Sequence, residues 1–207
     1  MPTATNESSE LWKFDNPRTD GKIAVVLDNN MWNWLFESRT TMRLLYELPV
    51  QRFALYITRE VEIEHQAIPA EKDRRMAALR SFVNNTIQEC GIETTAYFGF
   101  ETPGVQRYGG FGIGTFMDKT TSRRLDALRH HMRGKRRTGL AHNETDVMLA
   151  SESFSSVVLT RDCKQGPLRE AKNRGGKVLY VEERHAVAGE LSAAIEALWP
   201  YPPLVQS

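Results

Sequence analysis

The sequence has few of the features that mark secreted or membrane-spanning proteins. Its 207 residues include two cysteines, Cys90 and Cys163, which are too few and too far apart for a disulfide framework or a CxxC zinc motif. No stretch approaches the roughly 18 apolar residues that a membrane-spanning helix needs. Residues 1–21 are polar and lack the apolar segment of a signal peptide. From these absences we expect a cytoplasmic protein that has no membrane partner.

Neither sign of charge is in large excess over the whole chain, which has a formal net charge of +1. Positive charge is concentrated in residues 120–139, which contain seven Lys or Arg residues and one acid, so the rest of the chain is net acidic. A local basic segment favours a polyanionic partner such as RNA, although a solvated helix face would have the same composition. The residues that we expect to contact substrate phosphates here are Arg133, Lys135, Arg136 and Arg137.

Short apolar runs alternate with helical patterns along the chain. Buried parallel strands have nearly unbroken apolar sequences. Alternation of such strands with helices predicts an α/β fold, a three-layer α/β/α sandwich around a central, mostly parallel five-stranded sheet. The five predicted strands lie at 22–27, 52–57, 93–98, 156–160 and 177–181.

The organisation along the chain predicts a single domain over residues 22–200. Residues 1–21 are predicted to form a flexible N-terminal arm and residues 201–207 a tail. A glycine-rich and basic insertion is predicted at about 99–139, because its glycines alternate with aromatic residues before the basic segment begins. Within it, Tyr108 and Phe111 are candidates for stacking on unpaired bases.

Acidic residues stand where the predicted strands end. Asp28 follows the first strand and Asp162 the fourth, while Asp146 begins the helix that leads into the fourth strand. Glu64 lies on the helix after the second strand, with Glu60 one turn earlier as a second choice. Ligands of open α/β sheets bind beyond the carboxyl ends of the strands, so these acids are expected at one edge. Taken singly, each has another explanation as a helix cap, a first-turn acid or a solvated side chain.

Carboxylates that converge repel one another unless a cation or a shared proton holds them together. Oxygen ligands of this kind suit Mg²⁺ or Mn²⁺, and a bound ion of this kind favours hydrolysis of phosphate esters. Asn30 and Thr160 are expected beside the acids, where they could position a carboxylate, a metal-bound water or the substrate.

The arrangement resembles the PIN-domain family of metal-dependent nucleases. The resemblance covers about residues 22–182, apart from the 99–139 region. It implies the three-layer sandwich and a metal-dependent endoribonuclease whose catalytic and metal-binding residues are Asp28, Glu64, Asp146 and Asp162. It leaves open a homodimer and an antitoxin-like protein partner. The matching segments are Val26-Leu27-Asp28-Asn29-Asn30, Thr58 to Glu64, Asn143-Glu144-Thr145-Asp146 and Leu159-Thr160-Arg161-Asp162.

Two other functions compete with the nuclease. A non-catalytic PIN-like module would bind nucleic acid or protein with the same fold. A phosphatase with Asp28 as nucleophile would need a second Asp two residues later, where this chain has Asn30. His130 and His131 are interpreted as solvated neighbours of the arginines and not as metal ligands.

Overall fold

A six-stranded, all-parallel sheet forms the centre of the protein. The computed structural model describes residues 10–201 except 17, 38, 70, 72 and 99–113, and it does not describe the side chains of 39, 98, 114–116 and 135. Six strands follow the order β4-β3-β2-β1-β7-β8, and β5 and β6 form a separate antiparallel hairpin. The strands are β1 (Ile23–Leu27), β2 (Phe53–Thr58), β3 (Glu93–Phe98), β4 (Gly114–Phe116), β5 (Arg133–Lys135), β6 (Ala141–His142), β7 (Val157–Thr160) and β8 (Val178–Tyr180).

Helices cover both faces of this sheet. Right-handed crossovers predict opposite faces for the helices that follow β1 and β2 and for those on either side of β7, because the chain moves across the sheet in opposite directions. Accordingly α1 packs on α4, and α6 packs on α5 and α7. The helices are α1 (Asn29–Glu37), α2 (Arg39–Met42), α3 (Arg59–Gln66), α4 (Arg74–Glu89), α5 (Lys119–Leu128), α6 (Glu144–Glu152), α7 (Pro167–Asn173) and α8 (Glu190–Leu198), with 3-10 helices at Leu44–Glu47, Arg129–His131 and Glu183–Ala186.

The predicted α/β class and the three-layer sandwich are confirmed. All five predicted strands are present, and the three-residue strand β4 extends the sheet beyond β3 at one edge. Every residue of β1 and of β7 is buried, as their apolar sequences require. Among the described residues, no helix is both long enough and apolar enough to cross a membrane.

Much of the predicted insertion at 99–139 belongs to the domain itself. Residues 114–116 form β4, and α5 places Leu125 and Leu128 in the hydrophobic core. From residue 114 onward this segment therefore contributes to the sheet and to the core, while the insertion at 99–139 itself stays a prediction. Residues 99–113, including Tyr108 and Phe111, lie outside the described part of the chain.

The described part of the predicted N-terminal arm contacts the body of the domain. Trp12 stacks on Phe154 with ring centroids 5.3 Å apart, and the Asp15 amide donates to the Phe154 carbonyl at 2.8 Å. Phe14 meets Trp199 edge-on at 5.2 Å. These aromatic contacts bury apolar area that a free arm would leave in water. Residues 1–9 and most of the predicted tail, 202–207, are outside the described residues.

The crossover pattern creates a switch point between β1 and β7. Successive strands from β1 onward are added on one side of β1, whereas β7 and β8 are added on its other side. In the register of this pair Leu27 lies opposite Leu159. The next residues, Asp28 just after β1 and Thr160 at the end of β7, therefore lie together at the carboxyl edge of the sheet, where α/β proteins bind their ligands.

Candidate functional site: a carboxylate cluster at the sheet edge

Asp28 lies at the bottom of the candidate site, with 4% of its surface exposed. Its Oδ2 atom accepts hydrogen bonds from Thr160 Oγ1 at 2.6 Å and from Asn30 Nδ2 at 2.6 Å. The backbone amide of Asp28 donates to the Leu159 carbonyl at 3.0 Å, which continues the pairing of β1 with β7. The side chain is thus held by both strands that form the switch point.

Burial raises the pKa of Asp28 from an ordinary 3.8 to about 7, because a desolvated carboxylate loses the stabilisation of water. The Thr160 hydrogen bond acts in the opposite direction, and the negative charges of Asp146 and Glu64 raise the pKa further. These three acids therefore lie close enough to affect one another's ionisation.

Thr160 and Asn30 form a small network that links Asp28 to Asp162. The Thr160 hydroxyl, which is fully buried, donates to Asp28 and accepts from the Asp162 backbone amide at 3.0 Å. Asn30 donates to Thr160 Oγ1 at 3.1 Å, and its Oδ1 accepts from the Arg161 amide at 2.8 Å. The structure therefore brings both predicted positioning residues to Asp28, and their bonds fix the carboxylate and the turn after β7.

Asp146 stands in the first turn of α6 and is only partly exposed. Burial raises its pKa from 3.8 to about 6, and the negative charges of Asp162 and Glu64 contribute to the increase. The positive charges of Arg136 and Lys164 oppose it. Asp146 is thus electrostatically coupled to two of the other predicted acids and to two nearby cations.

Two residues at the start of α6 hold the loop that precedes it. Asn143 has no side-chain capping hydrogen bond to α6; it adopts a left-handed backbone (φ 61°) and donates from Nδ2 to the His131 carbonyl at 3.2 Å. Glu144, two residues before Asp146, is fully buried and accepts from the Ala141 amide at 2.6 Å. Glu144 is therefore used to hold the loop before α6.

Glu64 is the glutamate that reaches the cluster. Its Oε1 accepts from Arg136 Nη1 at 2.7 Å, and its Oε2 accepts from Asn29 Nδ2 at 3.4 Å. Glu60, the second choice, is buried, and its negative charge raises the pKa of Glu152 at the far end of α6. Position on α3 thus separates Glu64, the first choice from the sequence, from Glu60, the second.

The four acids are neighbours but do not converge on one point. In the described part of the chain, no three of them bring carboxylate oxygens within 4.8 Å of one another. Repulsion between like charges and the attraction of Glu64 to Arg136 both favour this wider spacing.

Comparison of the chain with protein-family models, with curated proteins and with solved structures found no match. The resemblance to the PIN-domain family therefore depends on the residues and their geometry alone, and it stays a prediction.

The basic segment does not form one continuous charged face. Arg124 is buried, bonds the Leu11 carbonyl at 3.1 Å and stacks over Phe154, so its role is in packing. Arg136 forms the ion pair with Glu64, while Arg133 and Arg137 are exposed on the β5–β6 hairpin. Lys135 is on the same hairpin, but its side chain lies outside the described residues.

Sequence reasoning missed several residues near the site. Lys164 lies with Nζ 3.7 Å from Asp162 Oδ2, and its backbone amide donates to Asp162 Oδ1 at 2.9 Å. Its position two residues after Asp162 was a usable signal, since short turns bring such neighbours together. Away from the carboxylate cluster, His130 and His131 face the carboxylate of Glu170, a contact between elements that no local sequence pattern indicates.

Proposed function

We propose that the protein is a divalent-metal-dependent nuclease that hydrolyses phosphodiester bonds in RNA. The observation that carries the proposal is the electrostatic coupling of Asp28, Glu64, Asp146 and Asp162 at the carboxyl edge of the sheet. Buried acids with strongly shifted pKa values, at the switch point of a parallel sheet, are typical of functional sites.

The chemistry of the side chains fits a hard cation. The donors are carboxylate oxygens, which suit Mg²⁺ or Mn²⁺ better than softer metals. Burial first, and then repulsion within the cluster, raises the pKa of Asp28 and of Asp146, so a positive charge placed among these acids would be favoured. When bound, such an ion lowers the pKa of a coordinated water and offsets the charge that develops on the phosphate.

The chain's own side chains provide positioning. Thr160 and Asn30 both donate to the same oxygen of Asp28, so the carboxylate is fixed in one orientation. Lys164 and Arg136 place two positive charges at the rim of the acids, where substrate phosphates would be attracted. No nucleophilic side chain is required in this mechanism, because water is the attacking group.

The proposal is tested by incubating single-stranded and structured RNA with the protein in Mg²⁺ or Mn²⁺. We expect cleavage that EDTA stops. Asp28→Asn and Asp146→Asn should each reduce the cleavage rate by about 100-fold or more, because substitution of residues that only support metal ligands already costs about 10–100-fold in metal affinity or activity. Asp126→Asn, an exposed acid on α5 that pairs with Arg129, is the matched control and should cleave normally. Undiminished cleavage by both site variants would remove the assignment of these acids.

A second function, RNA binding without cleavage, is favoured by one observation. Glu64 is already engaged by Arg136 and Asn29, so it has structural partners that do not depend on a cation. In that case RNA binding should persist in EDTA and be unchanged in Asp28→Asn, and no RNA or DNA should be cut. Measuring RNA binding and cleavage on the same preparations distinguishes the two functions.

A further inference from the structure

A second cluster of metal-binding groups lies on the face of the molecule that carries α7. His130 and His131 close the 3-10 helix Arg129–His131, and Glu170 faces them from α7. The distance to Glu170 Oε2 is 2.7 Å from His131 Nε2 and 3.6 Å from His130 Nε2. Among the described residues, this is the one group of three His, Cys, Asp or Glu side chains whose ligand atoms all lie within 4.8 Å of one another.

The spacing of these atoms fits a small divalent ion. Bonds of about 2.0–2.1 Å in a tetrahedral arrangement put neighbouring ligand atoms about 3.4 Å apart. The two measured distances, 2.7 and 3.6 Å, lie on either side of this value. Small side-chain rotations would therefore bring the three atoms onto one ion.

Contacts behind the cluster prepare the ligand atoms. His130 Nδ1 lies 2.9 Å from the Ala127 carbonyl, which can only accept, so this contact favours the tautomer of the neutral ring that has its lone pair on Nε2. The other oxygen of the carboxylate, Glu170 Oε1, forms an ion pair with Arg174 Nη2 at 2.8 Å, so that Oε2 faces the histidines. Arg174 in turn lies over the Trp12 ring, 4.3 Å from its centroid. Partners of this kind orient metal ligands in known sites.

The donor set separates this cluster from the carboxylates at the sheet edge. Imidazole nitrogen favours borderline transition metals such as Zn²⁺ and is a poor ligand for Mg²⁺. Two imidazoles and one carboxylate, with water in the remaining position, is a ligand set that Zn²⁺ accepts. An open cleft of about 380 Å³ beside His131 and Glu170, lined also by Arg169 and Asn173, leaves room for that water.

We propose that His130, His131 and Glu170 bind a borderline divalent transition-metal ion of the Zn²⁺ class. The site is separate from the carboxylate cluster and does not depend on the proposed nuclease function. A bound ion would connect the 3-10 helix to α7. Because the His131 carbonyl also accepts from Asn143 at the start of α6, the ion would brace the helix that carries Asp146.

The test uses the full chain with Cys163→Ser, which removes the exposed thiol as a competing zinc ligand. Titration with ZnCl₂ in a calorimeter should show one saturable equivalent, and the melting temperature should rise with zinc because the ion binds only the folded state. Millimolar Mg²⁺ should not displace it. Addition of Co²⁺ should give visible absorption bands that report bound ligands.

Three variants and one control decide the assignment. His130→Ala, His131→Ala and Glu170→Gln should each lose the saturable binding of zinc in the calorimeter. Their circular dichroism spectra and their melting temperatures without zinc should show intact folding. His142→Ala removes another exposed histidine, on β6, and should bind zinc as the parent does. Absence of zinc binding in the parent, or equal affinity in the parent, His131→Ala and Glu170→Gln, would overturn the proposal.

Discussion

Arg136 Nη1 donates to Glu64 Oε1 at 2.7 Å, and this ion pair joins the β5–β6 hairpin to α3 at the rim of the carboxylate cluster. The side chains are 39% and 17% exposed, respectively, so solvent only partly screens the contact. Arg136 thus has two competing interactions. It neutralises an acid that a metal ion would need, and it is one of the cations that could bind a phosphate.

Removing Arg136 should affect metal and RNA binding in opposite directions. We expect Arg136→Ala to tighten Mn²⁺ binding two- to fivefold, because a partly exposed ion pair is worth up to about 1 kcal/mol. RNA binding should weaken at the same time. The checks are calorimetric titration with MnCl₂ and RNA titration by fluorescence anisotropy. Arg137→Ala, the exposed neighbour, should leave Mn²⁺ affinity unchanged; weaker Mn²⁺ binding in Arg136→Ala would contradict the competition.

The exposed arginines of the hairpin should determine the salt dependence of RNA binding. Each phosphate contact on single-stranded RNA adds about 0.7 to the slope of log affinity against log salt. Replacing Arg133 and Arg137 by Ala should therefore flatten the slope by about 1.4, measured between low and physiological salt. Arg184→Ala, which removes an exposed arginine outside the hairpin that pairs with Glu182, is the control. An identical slope in the double variant would mean that the hairpin does not touch RNA.

Thr160 should control both stability and the ionisation of Asp28. Thr160→Val keeps the shape but removes a buried hydroxyl with three hydrogen bonds, so the free energy of unfolding should fall by about 1–3 kcal/mol. The pKa of Asp28 should rise further, because the Thr160 hydrogen bond lowers it. If cleavage needs the carboxylate form, the acidic limb of the pH–rate profile moves to higher pH. Thr160→Ser retains the hydroxyl and should keep the parental limb, whereas an unmoved limb in Thr160→Val would refute this role.

Asp28 should make the metal-free protein less stable as pH rises. Its folded-state pKa of about 7 exceeds the ordinary 3.8, so the folded state binds the extra proton between these values. The contribution is fully present below about pH 4 and is lost by about pH 7, with a total of up to roughly 4 kcal/mol. Urea unfolding in EDTA should be measured at pH 5 and at pH 8. From pH 5 to pH 8, the free energy of unfolding of Asp28→Asn should rise relative to that of the parent. Asp126→Asn should show no such gain, and parallel pH profiles for the parent and Asp28→Asn would contradict the shifted pKa.

The sequence predicts those parts of the fold that are encoded locally. β1 and β7 are continuous apolar runs because both faces are buried, and Thr58 caps α3 by accepting from the Val61 amide at 3.3 Å, as its position indicates. The strand β4, Gly-Thr-Phe, has no comparable run because it is three residues long and lies at the edge. Local pattern thus identifies buried elements and misses short ones.

Some residues of the candidate site could likewise be selected from local sequence, whereas others depend on tertiary packing. Asp28 and Asp162 could be selected because each follows a buried strand, and parallel strands place such residues at one edge. The choice between Glu60 and Glu64, however, depends on how α3 meets α6 and the hairpin. The partners of His131 and Arg136 are likewise 39 and 72 residues distant, so only tertiary packing brings them together.

The place of β1 in the middle of the sheet has a consequence for the order of assembly during synthesis. Val25 pairs with Leu55 on one side and with Val157 on the other, so β1 has one early and one late neighbour. On the ribosome, β1 and β2 can meet while most of the chain is still unmade, but Thr160 emerges much later. A nascent chain therefore carries Asp28 without the hydroxyl that orients it. The carboxylate cluster can be completed only after β7 has been translated, which keeps unfinished chains from carrying an assembled site.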